Sequence, residues 1–230
     1  MPSPSSPNIS VSMSWAFNAF KANAAAFLAL AAVVVVIQVA AQVSFTPIVN
    51  LMTNCLDASS PGQIASCQSA SGAGVYLSSL LAFTFSLLAA FATIGVLRAA
   101  LRTTLGFEPS FADMLTTKFL GRYIGFAIIF QILEGIGIVL CFLPGLVVIF
   151  FLELGHYFIL DKGLGPIQAI KASFNVSRAN VAPAMTIAAM TVLVLVSGAI
   201  FYGLPSLIVL PFAALFTAHM YRSLIAEPAV

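Results

Sequence analysis

Six long apolar stretches, Ala24 to Phe45, Tyr76 to Leu97, Tyr123 to Cys141, Leu143 to Leu160, Ala184 to Leu204 and Ser206 to Met220, confine this chain to one kind of fold. A helix needs about 20 apolar residues to cross the hydrocarbon of a bilayer, where every backbone N–H and C=O must find its partner within the protein. The region 123–160 is too long for one crossing and just enough for two. Pro144-Gly145 supplies the break, because proline interrupts the helical ladder and glycine accepts turn geometry. Gly203-Leu204-Pro205 divides the last stretch in the same way. A soluble domain carries about a quarter of its residues as charges, whereas this chain has 7% charged and 61% hydrophobic residues. The expectation is an all-α integral membrane protein of about six transmembrane helices arranged as three hairpins.

All nine basic residues, Lys21, Arg98, Arg102, Lys118, Arg122, Lys162, Lys171, Arg178 and Arg222, fall in segments that this arrangement puts on one side. The positive-inside bias makes that side the cytoplasm, so both termini are expected there. The localisation expected is the plasma (inner) membrane, crossed several times. The Ser- and Pro-rich tail Met1 to Pro7 lacks a positive n-region, so the first span reads as a retained anchor. A net charge of +2 argues against a nucleic-acid partner, and no block of like charges reads as a lipid clamp.

Each hairpin has a similar lead-in. Phe17-Asn18-Ala19-Phe20-Lys21-Ala22-Asn23 and Phe174-Asn175-Val176-Ser177-Arg178-Ala179-Asn180 both fit F-N-x-x-[K/R]-A-N just before an apolar run. The second lead-in, Glu108-Pro109 through Arg122, aligns with Gly165-Pro166 through Arg178 by its proline, by Ala112 against Ala169 and by its closing arginine. Residues 1–230 thus read as a single membrane domain of three units, at about 7–105, 106–162 and 163–223, each opening with an amphipathic interfacial helix. In the first, Ile9, Met13, Ala16, Phe17 and Phe20 make the apolar stripe, with Trp15 and Lys21 suited to the headgroup zone. In the second, Ser110 and Asp113 form a variant capping box ahead of Phe111, Met114, Leu115 and Phe119. Arg122 and Arg178 close the second and third lead-ins at the interface.

The only long connection expected is an external loop at about 46–74, rich in Ser, Gly, Asn and Gln, which carries Cys55 and Cys67. Facing an oxidising compartment, these two thiols can close a disulfide; the alternative is two free thiols. A metal site there lacks ligands, because the loop has no His and one acid, Asp57. Cys141 reads as a small packing residue at the end of a span.

Glu134 and Glu153 are the candidates for chemistry, since an ionisable group deep in a bilayer costs about 2.5–3.5 kcal/mol on insertion scales. Counted from Pro144 they sit at nearly equal depth on adjacent helices, and His156 follows Glu153 by three residues on the same side. Three readings stand together: a proton relay or substrate site, a sparse metal site, and acids hydrogen-bonded across a helix interface or to a partner subunit. Gln38, Gln42 and Gln131 carry the same choice between function and inter-helix bonding. No motif for a nucleotide, a catalytic nucleophile or a metal is present, so no cofactor and no enzymatic activity are expected.

The stretch Tyr157-Phe158-Ile159-Leu160-Asp161-Lys162-Gly163-Leu164-Gly165-Pro166-Ile167-Gln168-Ala169-Ile170-Lys171-Ala172-Ser173-Phe174, closed by Arg178-Ala179-Asn180, resembles a pattern in small bacterial membrane proteins. These include the membrane domain beside some glycerophosphodiester phosphodiesterases and many actinobacterial integral membrane proteins. The soluble phosphodiesterase barrel is absent here, so the resemblance transfers no active-site residue. In size and composition the chain is also similar to the LucB-type accessory subunits of mycobacterial Mce lipid importers. That resemblance implies a non-catalytic accessory or scaffold subunit of an envelope complex, with membrane lipids and other membrane subunits as partners. The alternative is an autonomous proton-coupled transporter or lipid permease that uses Glu134 and Glu153.

Overall fold

A computed structural model describes residues 8–57, 60, 62, 73–141 and 143–225. Among the described residues every regular element is helical: α1 (Ile9–Ala22), α2 (Ala24–Leu56), α3 (Ala73–Thr103), α4 (Ala112–Leu115), α5 (Leu120–Cys141), α6 (Leu143–Leu152), α7 (Leu154–Lys162), α8 (Pro166–Ala179), α9 (Val181–Ala199) and α10 (Ser206–Leu224), with a short 3-10 turn at Phe201–Gly203. Six spans are long and apolar enough to cross a membrane, α6 and α7 together making the fourth, Leu143–Lys162. The chain is a membrane-embedded helical bundle.

The two F-N-x-x-[K/R]-A-N segments fold alike. Asn23 and Asn180 each end one helix and open the next with non-helical backbone (φ −120°, ψ 25° and φ −133°, ψ 64°). Each asparagine Nδ2 donates to the carbonyl four residues back, Ala19 at 3.1 Å and Val176 at 3.0 Å. Each basic side chain lies over the phenylalanine one turn earlier, Lys21 at 5.3 Å from Phe17 and Arg178 at 5.9 Å from Phe174. Small residues on the inner faces, Ser12 and Ala16 in α1 and Ala169 and Ser173 in α8, are fully buried and let these helices lie close against their neighbours. Trp15 stacks on His219 of α10 at 4.6 Å, and Ser12 Oγ lies 2.9 Å from His219 Nδ1.

The second lead-in departs from this pattern. Its helix is a single turn, α4, because Thr116 is extended (φ −72°, ψ 123°) and Phe119 adopts φ 60°. The local cap still forms: Asp113 accepts from the Ser110 N–H at 3.0 Å, and Ser110 Oγ accepts from the Ala112 N–H at 3.2 Å. Asp113 is buried and pairs with Arg102 at 2.6 Å, so this lead-in is anchored by charge rather than by an apolar helical stripe.

The expected external loop at 46–74 is also corrected. Helix α2 runs through Pro47 to Leu56, and α3 begins at Ala73. Pro47 removes one ladder bond without ending the helix, since apolar residues on both sides keep α2 packed along α3. At 1.5 Å per residue, the 33 residues of α2 extend about 50 Å, against about 29 Å for the 19 residues of α9. The far ends of α2 and α3 therefore reach past the other spans. Cys55 lies in the last turn of α2; Cys67, and with it the proposed pairing, lies outside the described residues, as does the side chain of Cys141.

Helix α10 is the centre of the bundle. It touches α1, α2, α3, α7 and α9, and 61% of its apolar window is buried, compared with 22–44% for the other spans. Ala213, Ala214 and Ala218 allow these approaches, and Leu215, Phe216, Met220 and Tyr221 fill the space between them. Close packing and buried hydrogen bonds must hold such a bundle, because lipid tails solvate apolar side chains as well as leucine does.

Arg222 supplies the strongest of those bonds. Its guanidinium, 4% exposed, forks onto Asp161 with Nη2–Oδ1 at 2.7 Å and Nη1–Oδ2 at 3.1 Å, while the Tyr221 hydroxyl donates to the same carboxylate at 3.1 Å. Arg222 Nε also reaches Thr104 Oγ1 at 3.4 Å. Asp161 opens the D-K-G-L-G-P turn: Gly163 ends α7 in the left-handed region (φ 63°), its carbonyl accepts from Arg122, and Pro166 starts α8. Arg98 donates to the Lys118 carbonyl nearby. One polar node thus joins α3, α5, α7 and α10.

Asp161→Leu should cost about 3–5 kcal/mol, the penalty for stranding a buried guanidinium, and the Asp161→Leu/Arg222→Leu pair should recover most of it. Reversible unfolding in mixed micelles measures both; additive losses would mean that the two side chains are not coupled. Gly155→Val should cost about 1–3 kcal/mol by the same assay, because a Cβ at Gly155 would stand 2.3 Å from the Phe126 ring.

Candidate functional site

A one-residue tightening of the fourth span marks the site: Glu153 keeps helical backbone (φ −55°, ψ −43°), and its carbonyl accepts from the His156 N–H three residues on. Glu153 separates α6 from α7; its carbonyl lies 3.1 Å from His156 Nδ1, and the neighbouring Phe151 carbonyl accepts from Ser173 Oγ at 2.7 Å. Side chains thus reach backbone carbonyls in this segment. The imidazole is held in a ring of aromatics, with centroids 4.8 Å from Phe126, 4.8 Å from Phe130 and 5.4 Å from Tyr123.

Glu153 and His156 line a central cavity of about 610 Å³ to which all six spans contribute. Helix α2 gives Gln38 and Gln42; α3 gives Ser86 and Thr93; α5 gives Tyr123 and Gln131; α9 gives Thr191 and Gly198; α10 gives Leu210, Ala213 and Thr217. Thr191 is near the middle of α9, and Glu153 is near the middle of the fourth span, so the polar groups converge at depth. Between them the walls are alanine, leucine and valine.

The far end of the cavity is closed by the turn between α9 and α10. Gln42 Nε2 donates to the Gly198 carbonyl at 3.0 Å, and Ser197 Oγ lies 2.9 Å from Ser206 Oγ. Phe201, Tyr202 and Gly203 follow one another with φ of 48°, 56° and 82°, a tight left-handed run that turns the chain back within a few residues. Gly203 faces Gln38, whose Oε1 is buried and makes no hydrogen bond.

The residues singled out from the sequence are only partly gathered here. Glu153, His156 and Gln131 line the cavity; Glu134 does not, and no hydrogen bond joins Glu134 to Glu153. Trp15, Lys21, Arg122 and Arg178 lie outside the cavity in the contacts already described. Gln38, Gln42, Thr93 and Thr191 complete the polar lining. The glutamines were visible in the sequence as isolated amides within apolar runs, but nothing in the spacing showed that they meet. Among the described residues no group of three His, Cys, Asp or Glu side chains is placed to hold a metal ion.

A glutamate, an imidazole, three carboxamides and several hydroxyls on apolar walls can hold the polar end of a small molecule whose remainder is apolar. No protein-family model, no curated protein and no solved structure matches this chain.

Proposed function

We propose that this protein binds a small amphipathic molecule from the membrane in its central cavity and takes part in moving or presenting it. The observation that carries this reading is the convergence of Gln38, Gln131, Glu153, His156 and Thr191 on one cavity between six apolar helices. Polar side chains at depth are costly unless they are satisfied, and those serving only to join helices would be expected to pair with each other. Gln38 Oε1 instead stays without a partner beside the cavity. This is the permease-like reading, with Glu153 rather than a Glu134/Glu153 pair at its centre.

A second reading, an accessory subunit of a lipid importer of the Mce type, is favoured by the overhanging ends of α2 and α3. There Met52, Leu56, Tyr76 and Leu80 are 59–83% exposed on a pair of helices that outreaches the other spans. A hydrophobic transmembrane subunit is the occupant that such a surface suits. In both readings the basic segments face the cytoplasm, the spans form three hairpins with both termini inside, and a Cys55–Cys67 disulfide ties the external connection.

A diazirine-bearing alkyl lipid analogue, photolysed on the protein in nanodiscs, should label peptides containing Gln131 and Thr191. Labels confined to outward-facing positions such as Leu87 would remove the cavity reading. Single cysteines at Ser69 and Ser110, in a background without native cysteines, should react with impermeant reagents from opposite sides; reaction from one side contradicts the topology. Non-reducing peptide mapping of protein from its native host should recover Cys55 linked to Cys67, and two alkylated thiols would contradict the pairing. Co-purification of a lipid-transport core in gentle detergent would support the accessory reading, and a lone monomer would count against it.

A further inference from the structure

The charge balance of the cavity narrows its ligand. None of the nine Lys and Arg side chains lines it, although Arg98 is only one residue beyond the lining residue Leu97. Arg98, Arg102, Arg122 and Arg222 are engaged elsewhere, with the Lys118 carbonyl, Asp113, the Gly163 carbonyl and Asp161. The one Asp or Glu side chain on the wall is Glu153.

The hydrogen-bonding character points the same way. Gln38 Oε1 is a buried acceptor without a donor. The His156 Nδ1 atom is occupied with the Glu153 carbonyl, which in the neutral ring leaves Nε2 as an acceptor. An anionic headgroup would enter a low-dielectric space that holds a carboxyl group and no countercharge, and phosphate or carboxylate amphiphiles are therefore disfavoured. A protonated amine supplies what the wall lacks, a positive charge and several N–H donors.

Resting on the reading that the cavity holds a membrane amphiphile, we infer that its ligand is an amphiphile with a positively charged amine head, held by Glu153 as counter-charge with His156 as a further acceptor. The apolar body lies along the alanine and leucine walls.

The test uses the full chain in neutral nanodiscs and three probes of equal chain length, dodecylamine, dodecanol and laurate, with bound adducts counted by native mass spectrometry. Dodecylamine should bind roughly tenfold or more tightly than either of the others, the gain expected of a charge-assisted hydrogen bond over a neutral one. Glu153→Gln should abolish that preference, so that dodecylamine binds the variant no more tightly than dodecanol binds the same variant. Ala90→Phe, at an exposed position on the cavity wall, should weaken every probe that occupies the cavity. If Ala90→Phe weakens all three probes but the amine shows no preference, the charge inference is overturned while the cavity reading stands. If Ala90→Phe weakens none of them, the cavity reading fails and this inference falls with it. Should Glu153→Gln fail to fold, the ranking of the three probes on the unaltered protein decides alone, and laurate binding as tightly as dodecylamine overturns the proposal.

Discussion

A buried arginine on the central helix holds this bundle in register. Arg222 cannot be left unpaired where it lies, and its guanidinium fits the Asp161 carboxylate in a two-pronged geometry that tolerates little sliding. Because Asp161 belongs to the turn before α8 and Thr104 to the end of α3, the position of α10 sets the position of three other segments. Apolar contacts alone would leave these helices freer to shift, since each has lipid as an equally good neighbour. The D-K-G-L-G-P stretch is part of this same node.

With one end fixed in this way, the helices can diverge around a cavity without losing their mutual register. The fourth span contributes its acid and its imidazole. The close pass of Gly155 against Phe126 brings α7 against α5, and Glu153 and His156 line the space between the spans. At the opposite end, the Gln42–Gly198 bond and the left-handed turn at Phe201–Gly203 draw α2, α9 and α10 together. The site is therefore built by fixed backbone elements rather than by long loops.

Much of the fold could be read from the sequence. Six spans follow from hydropathy and length, Pro144-Gly145 and Gly203-Leu204-Pro205 mark real breaks, and the two F-N-x-x-[K/R]-A-N segments share one geometry down to the asparagine bonds. Where reasoning from the sequence failed, a local signal was overruled by packing. A loop was expected from about residue 46, yet α2 stays helical beside α3 as far as Leu56. Thr116 and Phe119 cut the second lead-in short although its apolar spacing favoured a longer helix. The cavity itself was less legible, because it depends on which face of each span turns inward. In membrane helices that are apolar all round, periodicity carries little of that information.

The central place of α10 bears on how the protein is made. It is the last of the six spans to leave the ribosome, so the five inserted before it must wait in the bilayer with the groove between them unfilled and Asp161 without its arginine. Lipid, an insertase or a chaperone has to occupy that groove in the interval. Assembly is then decided late, in a single docking step, and a change in the last twenty residues of the bundle can undo the placement of helices synthesised long before.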